Sequence, residues 1–264
     1  MALVDIRPTL RRRISRISSY AIFVIIVVVL VFTVNWHLIQ QNFFKRSVAA
    51  TMWPGVLRAA GNTIWYTLFS FSIGLVIAVI FALMKMSKGP FKWFAVAYIE
   101  LFRGMPALLT IFICVFAIPI AFKVKLPGGS IGGGLIALIL VTSAYTAEII
   151  RAGIQAVPKG QTEAARSLGM PHLRTTLTVV LPQAFRIVIP PLTNELVTLL
   201  KDTSLLFIAG MTIFQKELTT FGKDGVSTNG NSTPYVVVAV VYLIITIPLT
   251  YLVGRLEKKM AVKK

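Results

Sequence analysis

The chain has 264 residues, of which 56% are hydrophobic and only 14% are charged, and its formal net charge is +18. This composition excludes an ordinary soluble globular protein and indicates an integral membrane protein. The positive charge would suit a nucleic-acid-binding protein, but no base-reading motif accompanies it, and we do not expect nucleic-acid binding.

Six apolar stretches are long enough to cross a bilayer, which takes about 18 or more apolar residues. They cover residues 17–44, 59–84, 104–122, 126–147, 187–213 and 225–254. The first is too long for the core of a signal peptide and lacks a small-residue cleavage site, so we predict a retained helix. The predicted fold class is an all-α integral membrane protein with about six transmembrane helices.

The third helix is predicted to begin near Phe91 and therefore to carry Arg103 near its middle. A charge in hydrocarbon is costly and usually faces a water-filled cavity. The guanidinium fork suits a carboxylate, and Gly104 and Pro106 would open backbone groups to the same cavity. We therefore predict that Arg103 contacts a solute. The alternative is that Arg103 only pairs with Glu100, three residues before it.

A polar segment, residues 157–182, follows the fourth apolar stretch. Pro158 precedes, and Gly169 follows, a run of good helix-forming residues, which is where each of the two is tolerated best. The pattern predicts a short capped helix over residues 160–168.

This predicted helix carries Glu163, Ala164 and Ala165 between the basic residues Lys159 and Arg166. Small residues let another surface come close, and flanking charges help to fix the register of contact. We therefore predict that the segment docks a soluble partner at the membrane face. The alternative is a solvated loop helix without a partner.

The fifth apolar stretch contains Glu195 and Asp202, which are seven residues apart. This spacing puts both carboxylates on one helix face, about 10 Å apart along the axis. Together with Arg103 they would suit a zwitterion, and Asn194 is a further candidate contact. The alternative is structural pairing, in which Lys201 neutralises Asp202. Glu148 and Arg151 have the spacing of such a structural pair.

The lysines and arginines indicate the topology. With the N-terminus in the cytoplasm, most of them fall in cytoplasmic parts of the chain, as membrane proteins favour. Both termini and the polar segment 157–182 are therefore predicted to be cytoplasmic.

The residues of the polar segment match a known loop. They are Glu163-Ala164-Ala165, Gly169 and Val179-x-Leu181-Pro182. Together they resemble the EAA loop of the membrane subunits of bacterial ABC importers, with Val179 where isoleucine is usual. The residues around Glu148 and Asp202 are similar to those of permeases for polar amino acids. The resemblance covers about residues 61–257.

This resemblance implies a domain organisation. A five-helix ABC importer core is expected over residues 58–257, with the cytoplasmic coupling loop at about 152–182. Residues 1–57 would form a basic segment, an extra transmembrane helix and an external loop, and residues 258–264 a basic cytoplasmic tail. The coupling residues would be Glu163, Ala164, Ala165 and Gly169.

The resemblance also implies partners in the bacterial cytoplasmic membrane. They are an ABC ATPase, a second permease subunit that is identical or related, an extracytoplasmic solute-binding protein and membrane lipid. The chain has no Walker A motif, so ATP and Mg²⁺ are expected on the ATPase, and no cofactor or catalytic residue is expected here. The expected solute is a polar amino acid, with glutamate, glutamine or a basic amino acid favoured.

Other classes of membrane protein are less compatible with the sequence. A channel or an ion-coupled transporter could also use Glu195 and Asp202, but arginine repeats and a carbonyl-filter sequence are missing. A membrane enzyme would need a catalytic cluster at one interface. A metal site is not expected either, because the single cysteine, Cys114, lies in an apolar stretch.

Overall fold

The computed structural model describes residues 8–260, with side chains from residue 15 onward except that of residue 259. Within this range the chain is helical, without strands. The helices are α1 Pro8–Thr33, α2 Trp36–Phe43, α3 Arg46–Thr51, α4 Gly55–Met86, α5 Pro90–Gly104, α6 Ala107–Phe122, α7 Gly129–Gln155, α8 Lys159–Ser167, α9 His172–Ala209, α10 Leu218–Asn229 and α11 Thr233–Met260.

Most of the predicted spans correspond to single helices. Among the described residues, α1, α4, α7, α9 and α11 are long and apolar enough to cross a membrane, and α5 with α6 makes a sixth candidate if the bent pair is one broken span. The first span ends at Thr33, earlier than predicted, because Asn35 caps a separate helix, α2.

The chain divides into two compact units, Met1–Lys45 and Arg46–Lys264. The first unit contains α1 and α2. In the second unit, Met52 and Val56 are buried in a cluster with Leu218 and Val238.

The core of the second unit lies where α4 packs along α7. Gly74 of α4 lies directly against α7, since a Cβ atom there would be in van der Waals contact with the Thr142 side chain, at 3.4 Å. Ala78 and Ala147 continue the same contact in a buried cluster with Ile99 of α5. Small residues bring the two helices together, and van der Waals contact then stabilises them, as is usual between helices in a bilayer.

The predicted third span is not one helix. α5 and α6 meet at an angle of 105°. Met105 is extended, with φ −92° and ψ 139°, because the ring of Pro106 disfavours a helical conformation in the residue before it. The proline therefore breaks the helix after Gly104, one residue beyond Arg103.

α6 and α9 each contain a π-helical turn, at Ile113–Ala117 and Thr176–Val180 respectively. Such a turn adds one residue to a helix without ending it. In α9 the turn lies between the start of the helix and the part that carries Glu195 and Asp202.

The segment between α9 and α10 is attached to α4. The Asn62 side chain donates to the carbonyls of Phe214 and Lys216, at 2.8 and 2.9 Å. The Tyr66 hydroxyl donates to the carbonyl of Gln215 at 2.9 Å. These bonds satisfy backbone groups that have no helical partner.

Glu217 caps α10 from a fully buried position. Its carboxylate accepts from the backbone N–H groups of Thr219 and Thr220, at 2.5 and 2.6 Å. Burial raises the pKa of the Glu217 carboxyl, and these hydrogen bonds act in the opposite direction.

The predicted sixth span begins too early. Residues 225–229 belong to α10, which ends where Gly230 adopts a left-handed conformation with φ +56°. α11 begins only at Thr233, so the membrane-spanning stretch is shorter at its start than the uncharged sequence indicates.

Candidate coupling loop and intramembrane charges

The predicted docking helix is present as α8. Gly169 follows it in a left-handed conformation with φ +82°. The Gly169 N–H donates to the carbonyl of Arg166 at 3.0 Å, and the Met170 N–H donates to that of Ala165 at 3.2 Å. These two bonds form a Schellman motif, which satisfies the last carbonyls of the helix. The structure confirms the predicted short helix with its glycine end.

The four predicted coupling residues divide into two groups. Glu163, Ala164 and Gly169 are exposed, whereas Ala165 is buried. The exposed group can meet a partner, and Ala165 packs towards the rest of this chain.

Two exposed leucines extend the surface of the loop. Leu168 and Leu173 are 84% and 70% exposed, in a segment that is otherwise polar. These two leucines were not predicted from the sequence. The sequence feature that could have indicated them is an apolar residue on each side of the turn that contains Gly169.

The coupling loop is joined to the start of α9. Val157 is buried with Val180 and Ala184 in one apolar cluster. Close to this cluster, a Cβ atom on Gly153 would lie only 2.0 Å from a methyl group of Val188, so α7 and α9 are in direct contact. The end of α7 and the residues that lead into α8 are therefore packed against α9.

Arg103 lies at the C-terminal end of α5, beside the break. It is exposed, and its guanidinium lies 5.6 Å from the ring centroid of Tyr145. The Tyr145 hydroxyl donates to the Arg103 carbonyl at 3.3 Å. The alternative pairing is not found, because Glu100 approaches Lys85 instead, at 3.6 Å.

A charged cluster joins three helices. Lys85 of α4 donates to Glu148 of α7 at 3.0 Å and also approaches Glu100 of α5. The expected pair of Glu148 and Arg151 is present, with Arg151 Nε 3.0 Å from Glu148 Oε2. The sequence did not reveal the part played by Lys85, since its partners lie 15 and 63 residues away.

Glu195 and Asp202 lie on α9 as predicted. Both are half-buried, and within the described part of the chain neither forms an ion pair. In particular, Lys201 does not approach Asp202 within salt-bridge distance there. Among the described residues, neither carboxylate therefore has a salt-bridge partner.

The Asn194 side chain forms a hydrogen bond with α11. Its Nδ2 donates to Glu257 Oε1 of α11 at 3.2 Å. Among the described residues, no hydrogen bond or ion pair joins Arg103 to Asn194, Glu195 or Asp202. Within this single subunit, the four predicted solute-contact residues are therefore not joined into one site.

Among the described residues, no group of three or more His, Cys, Asp and Glu side chains is placed to hold a metal ion.

Comparison with known proteins identifies a family and its fold. The model of a family described as the inner membrane component of binding-protein-dependent transport systems matches residues 74–262. A solved amino acid ABC transporter has a chain that superposes with a TM-score of 0.73 and 34% identity, over 80% of this chain and 96% of that chain. The predicted fold class is confirmed.

Two relatives from Bacillus subtilis (strain 168) are similar in sequence. A probable glutamine ABC transporter permease protein is 39% identical over 229 residues, which is 86% of this chain and 94% of the relative. An L-cystine transport system permease protein is 43% identical over 173 residues, which is 65% of this chain and 69% of the relative.

Proposed function

Because this chain belongs to the family of inner membrane components of binding-protein-dependent transport systems, we propose that it is the permease subunit of an ATP-driven importer of polar amino acids. The observation that carries the proposal is similarity to a glutamine permease over 94% of that relative's length. Glutamate, glutamine and basic amino acids are the favoured solutes, since a further relative is an arginine transport system permease protein.

The proposed importer contains further subunits. A second permease, identical or related, completes the transmembrane pathway, and an extracytoplasmic binding protein delivers the solute. An ABC ATPase binds ATP and Mg²⁺ and docks on α8. The subunit lies in the cytoplasmic membrane with both termini in the cytoplasm, which is the side that its basic residues favour.

The transport step is alternating access. Closure of the ATPases pushes on Glu163, Ala164 and the exposed leucines of the loop. The cluster around Val157 passes this movement to α9, and the helices then move as rigid bodies that open the pathway to one side at a time.

Glu195, Asp202 and Arg103 are proposed to contact the solute, with Asn194 as a weaker candidate. Two carboxylates without an ion pair in the described chain can accept the ammonium group. An exposed guanidinium can bind the carboxylate in a bidentate manner. The second permease subunit would bring the groups to the same pathway.

The proposed function is tested by reconstitution. The permease is purified with its ATPase, inserted into liposomes with the binding protein, and offered a panel of labelled amino acids. We expect ATP-dependent uptake of one or a few polar amino acids. Uptake that proceeds without the ATPase and follows an ion gradient would instead indicate a secondary transporter or a channel.

The solute contacts are tested separately. Glu195→Gln and Asp202→Asn should each reduce uptake at least tenfold while assembly and basal ATP hydrolysis persist, because a charge-assisted hydrogen bond contributes about 1.5–3 kcal/mol. Arg103→Lys should also reduce uptake, because an ammonium group cannot replace the bidentate fork. Glu100→Gln, at an exposed carboxylate bound by Lys85, is the matched control. Full uptake by both carboxamide variants would remove the two acids from the pathway.

A further inference from the structure

A cavity of about 670 Å³ lies between α9 and the C-terminal half of α11. Three basic side chains line it, Lys201, Arg255 and Lys258, and no acidic residue does so among the described residues. Such a cavity attracts an anion, because unneutralised cations in one place raise the local potential.

The basic residues of α11 share one face with two hydroxyl groups. Thr250, Tyr251, Gly254, Arg255 and Lys258 recur at helical spacing around the cavity. Arg255 Nη2 donates to the Tyr251 hydroxyl at 2.9 Å, which leaves the hydroxyl proton free to bind an acceptor. A Cβ atom on Gly254 would meet nothing within 4 Å, so there is open space above the backbone.

The nearby acid Glu257 does not neutralise these cations. Its carboxylate accepts from Asn194 on another side of α11. In the described part of the chain, no ion pair joins Lys201, Arg255 or Lys258 to a carboxylate. Arg255 and Lys258 are therefore available to a ligand, and Lys201 adds positive charge to the cavity although it also interacts with the neighbouring Asp202.

The same face of α11 becomes apolar towards the middle of the membrane. Leu243, Ile244 and Ile247 precede the basic group at helical spacing and are 53%, 64% and 61% exposed. A ligand that fits the whole face has an anionic head and an apolar chain. A free amino acid fits poorly, since the lining offers no carboxylate to its ammonium group.

We propose that this cavity binds the headgroup phosphate of an anionic phospholipid, with its acyl chains along Leu243, Ile244 and Ile247. Basic pockets between transmembrane helices are suited to such headgroups. The site lies on α11 and on α9, the helix that also carries Asn194, Glu195 and Asp202, so a bound lipid would stabilise the contact between α9 and α11. This inference does not depend on which solute is carried.

The test measures lipid retention directly. The complex with its ATPase is purified from membranes that contain phosphatidylglycerol, and native mass spectrometry counts the lipids retained. Arg255→Gln with Lys258→Gln should weaken phosphatidylglycerol binding about thirtyfold. The matched control is Lys88→Gln with Lys92→Gln, an exposed basic pair outside the cavity, and it should retain the lipid as the wild type does.

Tyr251→Phe is a milder variant that keeps all charges and removes only the hydroxyl that orients Arg255. It should weaken retention by a smaller factor even where the double variant folds poorly. Equal retention by wild type, Tyr251→Phe and the double variant would overturn the proposal. Displacement of the lipid by saturating amino acid would also overturn it, because the cavity would then belong to the solute pathway.

Discussion

Gly169 is needed for its backbone conformation. A left-handed residue ends α8, and this conformation costs an L-residue with a side chain about 1 kcal/mol or more. Space is not the constraint, since a Cβ atom at this position would meet nothing within 4 Å. An effect of substituting Gly169 would therefore come from backbone strain in the turn.

Gly169→Ala should lower the affinity for the ATPase subunit about fivefold, because about 1 kcal/mol of strain loosens the turn beside the docking helix. Gly160→Ala is the control, since Gly160 lies within α8 at an ordinary helical φ and also has open space. Titration of the ATPase against the purified permease measures both. Equal loss of ATPase affinity in the two variants would show that the added methyl group, and not the backbone conformation at Gly169, lowers the affinity.

Local chemistry made the coupling helix predictable from the sequence. Pro158, Gly169 and the residues between them determine α8 through contacts within a few residues. The partner of Glu100 was not predictable in this way. Arg103 is near in sequence, but folding brings Lys85 closer, and only the packing of α4 against α5 determines that.

The ion pairs of Glu148 with Lys85 and Arg151 connect α4 to α7 near the coupling loop. Lys85 and Glu148 are largely buried, with side chains 15% and 22% exposed. A pair of this kind is costly to break, because the remaining charge loses its partner away from water.

Lys85→Met and Glu148→Gln should each lower the thermal stability of the purified permease. The double variant should lose less stability than the sum of the two single variants, by about 1 kcal/mol, because both single changes remove the same Lys85–Glu148 contact. Combining Glu100→Gln with Arg103→Gln should give additive losses, since those two side chains do not pair. Thermal unfolding in detergent measures the stability of every variant. Additive losses for Lys85→Met and Glu148→Gln would contradict an interaction between these two side chains.

The break between α5 and α6 was only partly predictable. Gly104 and Pro106 indicated a weakened helix, but an apolar run on both sides favoured one continuous span. The angle of 105° depends on how α6 packs beside α7 and is not encoded by the two residues alone. Hydropathy likewise merged α10 with α11, because it does not detect the turn at Gly230.

The proposed orientation in the membrane rests on the distribution of lysine and arginine residues. Single cysteines on a Cys114→Ala background should react with an impermeant thiol reagent in intact cells at Ser47, Lys125 and Thr228, and not at Lys88 or Lys159. All five of these positions are exposed, so reactivity reports the side of the membrane and not burial. Labelling of a cysteine at position 159 from outside would contradict the proposed topology.

The π-helical turn at Thr176–Val180 sets the rotational relation between the first turn of α9 and the later part of the helix. Each residue of an α-helix turns the chain by about 100°, so the additional residue changes which face of the later helix points in a given direction. Glu195 and Asp202 lie beyond this turn, whereas His172–Thr175, the first residues of α9, lie before it. The direction in which the two carboxylates point, relative to the first turn of α9, is thus determined by the number of residues in a single turn.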